Sequence, residues 1–169
     1  MRLTTKTNLA ARVLMACAVN DGTTLRSAQI ARTCNASPNH LLQVVNALQA
    51  QGFVETLRGR HGGLRLARPA ARISMGAVFR IFEAGVPFAE CFAPQTNTCP
   101  LAATCRLRGV VAHALEAFYA TLDKVTLADL TEGNCGLAAL LSVPDRLRDL
   151  PSCDAKTPAG DHPAGVSLA

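Results

Sequence analysis

The segment SPNHLLQVVNALQAQG (residues 37–52) and the FVETLRGRHGGLRLARP that follows it (residues 53–69) leave this chain few folds to choose from. The first carries its own helix punctuation. Ser37 stands where an N-cap oxygen is needed, Pro38 fits the first helical position, and Gly52 stops the run. Upstream, SAQIARTCN predicts a short helix opened by Ser27, with Ile30 and Ala31 turned inward, and a brief turn at residues 35–37 joins the two. Two helices linked by so short a turn make a helix-turn-helix. The second segment alternates apolar and polar residues on both sides of Arg58-Gly59-Arg60-His61-Gly62-Gly63, a β-hairpin whose glycine-rich tip tolerates positive φ. A helix-turn-helix followed by a hairpin is a winged helix. A first helix over TNLAARVLMACAV, with Leu9, Val13, Leu14 and Cys17 at helical spacing and Asp21-Gly22 as its stop, precedes it.

Charge is distributed to match. Residues 1–73 hold ten Lys/Arg against Asp21 and Glu55, a balance of +8, whereas residues 74–169 hold seven against ten, or −3. The first half is thus the part suited to a polyanion, and double-stranded operator DNA is the expected partner. From the helix position, Ser37, Asn39, His40 and Gln43 are predicted to face base edges in the major groove. Arg58 and Arg60 at the hairpin tip suit the adjacent minor groove, whose narrowness concentrates negative potential.

The chemistry lies further on, in ECFAPQTNTCPLAATCRLRG. Cys91, Cys99 and Cys105 are separated by seven and then five residues. A zinc ribbon or finger brings its ligands together in tight pairs with a fourth Cys or His nearby, and this spacing lacks both features. An iron-sulfur cluster accepts the spacing, because a cuboidal cluster is several ångströms across and its thiolates come from separated backbone points. The intervening residues Gln95, Thr96, Asn97 and Thr98 are polar and offer no core periodicity. Cys99 before Pro100 is predicted to cap a helix, facing the positive end of its dipole, with Cys105 a turn and a half into that helix. Four iron and four sulfur atoms are the expected cluster, a two-iron form the alternative. Seven cysteines without a secretory leader argue against a disulfide framework and for a reducing, cytoplasmic setting.

The remaining organisation follows from periodicity. Residues 74–84, SMGAVFRIFEA, predict a linking helix with Val78, Ile81 and Phe82 on one face. A long helix is expected from Leu101 to about Val125, with Leu107, Val111, Ala114, Phe118, Leu122 and Val125 at spacings of four, three, four, four and three, and Val110 and Leu115 widening the stripe. About 35 Å of such a seam exceeds what this chain needs for its own core, so a homodimer is expected. Thr126 caps a short helix over TLADLTEGN. The expected units are a DNA-binding region over 1–73, a linking helix, cysteine loop and dimerisation helix over 74–143, and a disordered tail over 144–169 rich in Pro, Gly, Ala and Asp. No run of apolar residues is long enough to span a membrane.

These residues resemble a known family, the winged-helix iron-sulfur regulators that include the NsrR, IscR and RirA branches. The similarity covers about residues 1–140 and rests on MRLT, the RGRHGGLRL wing, the three-cysteine loop and TLADL. SPNHLLQVVNAL and LDKVTLADL are most similar to the NsrR branch, which implies a dimeric repressor whose cluster reacts with nitric oxide. TNLAARVLMACAVNDG and AECF are also similar to RirA, which implies an iron-responsive regulator as the alternative. NsrR-type proteins take a fourth ligand from an aspartate in the first helix of the partner subunit, and the matching residue here is Asn8. A neutral amide oxygen is a poorer iron ligand than a carboxylate, so Asn8 reads more readily as a helix-start residue than as a strong ligand, and the resemblance implies a fourth iron carrying a weak amide, a water or a small thiol.

Other candidates have plainer readings. Cys17 and Cys34 fall on apolar faces and are expected in the core, Cys135 lies near a helix boundary, His113 lies on a solvated face, and His61 is an exposed turn residue. A zinc-stabilised regulator is the competing metal reading. Nothing in the chain pairs a nucleophile with a base, cradles phosphate or sets two carboxylates together for catalysis, and an enzyme is not expected.

Overall fold

The computed structural model describes residues 3–59 and 62–143. Arg60 and His61 at the wing tip, and the expected tail with Cys153, lie outside the described residues. Seven helices and a hairpin follow in the order α1 (Thr5–Val19), α2 (Ser27–Thr33), α3 (Pro38–Ala50), β1 (Val54–Leu57), β2 (Gly63–Leu66), α4 (Met75–Glu83), α5 (Arg106–Asp123), α6 (Leu127–Thr131) and α7 (Cys135–Leu141).

The capping chemistry read from the sequence sets most of these boundaries. Ser37 Oγ accepts from His40 N at 3.3 Å, Pro38 is the first residue of α3, and Gly52 adopts φ 67° just past its end. Thr126 and Asp129 form a reciprocal capping box on α6. α2 begins at Ser27, with Arg26 rather than Ser27 in the cap position, and the turn into α3 contains Asn35 at φ 48°. The hairpin pairs antiparallel from Val54 opposite Leu66 to Leu57 opposite Gly63. Leu25 adds a third, single-residue rung, giving and receiving hydrogen bonds with Leu64 at 2.9 and 2.7 Å. Gly63 sits against the Leu25 backbone with no room for a Cβ.

One apolar core joins the elements. Leu9, Val13 and Leu14 of α1 meet Ile30 of α2, Leu41, Val44 and Leu48 of α3, Phe53 and Leu64 of the wing, and Ile73, Val78 and Leu127, all almost fully buried. The helical hairpin α4–α5 is pinned to this core at its open end. Met75 N donates to Val125 O at 2.9 Å and Leu127 N to Ile73 O at 2.8 Å. Gly76 faces Asp123 so closely that a Cβ there would overlap the carboxylate.

Three expectations change. The long helix begins at Arg106, not Leu101, so it spans about 27 Å by the rise per residue. Residues 99–104 instead close successive four-residue turns, Ala102 N to Cys99 O and Thr104 N to Leu101 O, and Cys105 is extended at φ −75°, ψ 107°. The helix cap is therefore Cys105 and not Cys99. On α4, Phe79 and Phe82 pack beside Val78 against the core, while Ile81 remains 37% exposed, because the helix packs on α1 as well as α5 and its buried stripe is rotated toward Phe79. Finally, Cys135–Leu141 form a seventh helix, capped by Asn134 Oδ1 accepting from Leu137 N at 3.0 Å.

Truncating Leu14, which is fully buried, is expected to cost about 2–5 kcal/mol. Gly76→Ala should cost about 1–3 kcal/mol by overpacking against Asp123. Both appear as lowered midpoints in urea denaturation followed by circular dichroism.

Candidate nucleic-acid interface and cysteine loop

α3 divides cleanly into two faces. Leu41, Val44, Val45 and Leu48 are buried, and Ser37, Asn39 and Gln43 are exposed on the opposite side, with His40 half-buried between the faces. The exposed face also carries Leu42, 57% accessible, and Asn46, which the sequence reading passed over. Their signal was available in the spacing, since 39, 42, 43 and 46 follow the helical period. Thr56 Oγ1 donates to Gln49 Oε1 at 3.0 Å and so fixes the wing against the end of this helix.

The basic residues of the first half are not equally available. Arg65 pairs across the hairpin with Glu55 at 2.5 Å, and the Arg68 guanidinium lies 4.4 Å over the Phe53 ring. Arg12 points inward, its Nε donating to Asn8 Oδ1 and its NH1 to Cys34 O, both at 2.8 Å. Arg58 at the wing and Arg26 before α2 remain exposed.

Cys91, Cys99 and Cys105 are all half-buried thiols in the connection between α4 and α5. Cys91 is the middle residue of a 3-10 turn, Glu90–Phe92. Cys99 N donates to Asn97 Oδ1 at 3.1 Å, and Cys105 caps α5 without any side-chain hydrogen bond to that helix's first turn. Among the described residues, no three His, Cys, Asp or Glu side chains stand close enough together to hold a single metal ion. Asn8 lies on the exposed side of α1 with its amide oxygen engaged by Arg12, and His113 is exposed on α5.

Two other thiols are of a different kind. Cys17 and Cys34 are each 2% exposed, and burial, reinforced by Cys34, pushes the Cys17 thiol up to about 12. Burial also raises Cys34, opposed by the Arg12 guanidinium. Both are protonated core residues, as expected. Cys135 is half-buried at the first position of α7.

The base of the cysteine loop contains a carboxylate that sequence reasoning missed. Glu83, the last residue of α4, accepts from Thr4 N at 2.9 Å, from Thr4 Oγ1 at 3.1 Å and from Thr7 Oγ1. It thereby holds the first turn of α1, a favourable place for an anion. Its side chain also lines a cavity of about 510 Å³ with Arg80, Phe88, Phe92, Leu115 and Tyr119. Burial raises the Tyr119 phenol, and the nearby Glu83 charge adds to the effect. No local pattern announces Glu83, because its partners lie 76 and 79 residues away.

Residues 3–133 match the Rrf2 family, described as iron-dependent transcriptional regulators. The chain belongs to the Rrf2 family. It is 43% identical over 142 residues to the transcriptional regulator NsrR of Geobacillus kaustophilus, covering 83% of this chain and 97% of that protein. To the transcriptional repressor NsrR of Streptomyces coelicolor it is 40% identical, covering 86% and 98%. Its fold matches the crystal structure of oxidized Staphylococcus aureus CymR with a TM-score of 0.64 at 25% identity, over 78% of this chain and 97% of that one. The winged helix expected from the sequence is therefore the fold of this family, and the protein is a DNA-binding transcription repressor rather than an enzyme. Among the described residues no helix is long and apolar enough to cross a membrane.

Removing the Glu83 carboxylate leaves the buried Thr7 hydroxyl without its acceptor on α4. Glu83→Ala is expected to cost about 1–3 kcal/mol and to speed hydrogen exchange at the first turn of α1 more than at α3.

Proposed function

We propose that this Rrf2 repressor is a homodimer that holds an iron-sulfur cluster, most simply of four iron atoms, on Cys91, Cys99 and Cys105 and releases operator DNA when nitric oxide damages it. The observation that carries the reading is the placement of all three half-buried thiols in one connection, beginning just beyond the helix that latches α1 and ending at the cap of α5. The donor set fits such a group. A cuboidal cluster spans several ångströms, so its thiolates need not converge as they would on one ion. The uncapped first-turn N–H groups of α5 and its dipole offer hydrogen bonds and positive potential beside Cys105, and Arg106 and Arg108 follow immediately. When bound, the cluster supplies iron that nitric oxide attacks. Asn8 of a second subunit is the proposed weak fourth donor; Arg12 now engages its oxygen and would have to yield it.

Dimerisation is supported by α5. None of its residues is buried, and Leu107 and Val110 are 68% and 65% exposed, with Leu101 ahead of them at 63%. Such an apolar face is what a second copy covers. On DNA, Ser37, Asn39, His40 and Gln43 are the proposed base-facing residues, and Arg58 and Arg60 the minor-groove contacts.

The deciding experiment is anaerobic purification with iron and sulfide analysis. A brown protein that loses its visible band when any of Cys91, Cys99 or Cys105 becomes Ser is expected, whereas stoichiometric zinc without sulfide would replace the cluster reading. A few equivalents of nitric oxide should bleach the protein and abolish operator binding. Loss of binding to a mild chelator dose, together with resistance to nitric oxide, would assign it to iron sensing instead.

In salt titrations of operator binding, Arg58→Ala should lower affinity and reduce the salt slope by about one. Gln43→Ala should relax discrimination at one base position by roughly 1–3 kcal/mol.

A further inference from the structure

The loop between Cys91 and Cys99 is closed by a side chain. Glu90 Oε1 accepts two hydrogen bonds from one residue, from Thr98 N at 2.7 Å and from Thr98 Oγ1 at 2.6 Å. Each partner immediately precedes a cysteine: Glu90 precedes Cys91, and Thr98 precedes Cys99. Joining residues 90 and 98 therefore closes the chain immediately ahead of both cysteines, although seven residues separate Cys91 from Cys99 in the sequence.

The flanking geometry makes the closure directional. On one side Cys91 lies inside the Glu90–Phe92 turn, where Phe92 N donates to Ala89 O at 2.9 Å and Ala93 N to Glu90 O at 3.0 Å. On the other, the Asn97 side chain accepts from Cys99 N at 3.1 Å. Each cysteine is thus held in a defined local conformation, and the carboxylate fixes one against the other. Phe92 packs beside Phe88 at the Cys91 end, but residues 95–98 are polar and have no apolar face to hold the Cys99 end, which would otherwise be joined only at the cost of loop-closure entropy.

We infer that Glu90 is a positioning residue, a clasp that preorganises Cys91 and Cys99 as a pair before any metal group is bound. Use of that pair as cluster ligands rests on the function proposed above; the clasp itself does not. Its job is geometric: an acceptor oxygen at this position is required, and the negative charge strengthens the contact without being needed to make it. The amide of Gln presents the same acceptor, and Ala presents none.

Two measurements on the full-length protein separate these claims. In the apo protein under a glutathione redox buffer, oxidation of the two thiols to a Cys91–Cys99 disulfide reduces one oxidised glutathione to two glutathione thiols. Its equilibrium, mapped by mass spectrometry, reports the effective concentration of one thiol at the other. Glu90→Ala should lower that value about tenfold, and Thr98→Val and Glu90→Gln each about threefold, as expected for losing both charge-assisted hydrogen bonds, losing one, and keeping both as neutral bonds of roughly half the strength. Equal values in the native protein and Glu90→Ala, with unchanged circular dichroism, would overturn the clasp. So would Glu90→Gln behaving as Glu90→Ala.

The second measurement uses the anaerobically reconstituted protein and follows loss of the visible band to a chelator. Glu90→Ala should lose it about tenfold faster than the native protein and Glu90→Gln about threefold faster. If the native protein takes up no iron and sulfide while the disulfide series keeps its order, the cluster reading fails and the clasp stands. If the cluster forms and neither series responds to Glu90→Ala, the clasp fails and the cluster reading stands.

Discussion

Two backbone hydrogen bonds, Met75 N to Val125 O and Leu127 N to Ile73 O, determine where everything beyond the wing is placed. They set the start of α4 beside the end of α5 on the core formed by α1, α3 and the wing. An antiparallel helical hairpin anchored at its open end must carry its connection at the far end, and that connection is the cysteine loop. α4 has nine residues, so its last, Glu83, arrives at the first turn of α1 and bonds to Thr4 and Thr7. The base of the loop is thereby bonded directly to the first turn of α1 through a carboxylate. A rearrangement of the loop has a short physical route to α1, on which α3 and the wing are packed.

The parts legible in the sequence are those specified by neighbours a few residues apart. Ser37, Pro38 and Gly52 bound α3; alternation around a glycine tip gives the wing; Leu9, Val13, Leu14 and Cys17 mark the buried side of α1. The backbone of the cysteine segment was harder to read. Cys99-Pro100 is a good helix opening by local rules, yet residues 99–104 turn rather than coil, and the cap falls at Cys105. Ile81 was placed inside by periodicity alone, whereas the angle at which α4 meets both α1 and α5 selects Phe79 instead. Contacts such as Glu83 with Thr7 depend on the completed fold and leave no local trace.

Net charge also divides differently in space than along the chain. The basic half is +8 by composition, but Arg12 bonds Asn8 and the Cys34 carbonyl, Arg65 meets Glu55, and Arg68 covers Phe53. These three arginines spend much of their interaction within the protein. In the other half Arg80 reaches both Asp123 and Glu116 and lies 4.7 Å over Tyr119, tying α4 to α5 through exposed ion pairs of small individual worth. Exposed residues such as Arg58 and Arg26 thus account for more of the outward field than their share of the count suggests.

Asn20 closes the fold in a less obvious way. Fully buried at the end of α1, it donates to Leu141 O at 2.9 Å and accepts from Val143 N at 2.9 Å. Both partners lie beyond residue 133, where the match to the family stops. The end of α1 is therefore completed by chain that lies outside the family signature: cut at 133, the polypeptide would retain every signature residue, yet Asn20 would keep only its bond to Ala16 O at 2.8 Å and lose the partner of its oxygen and its second acceptor.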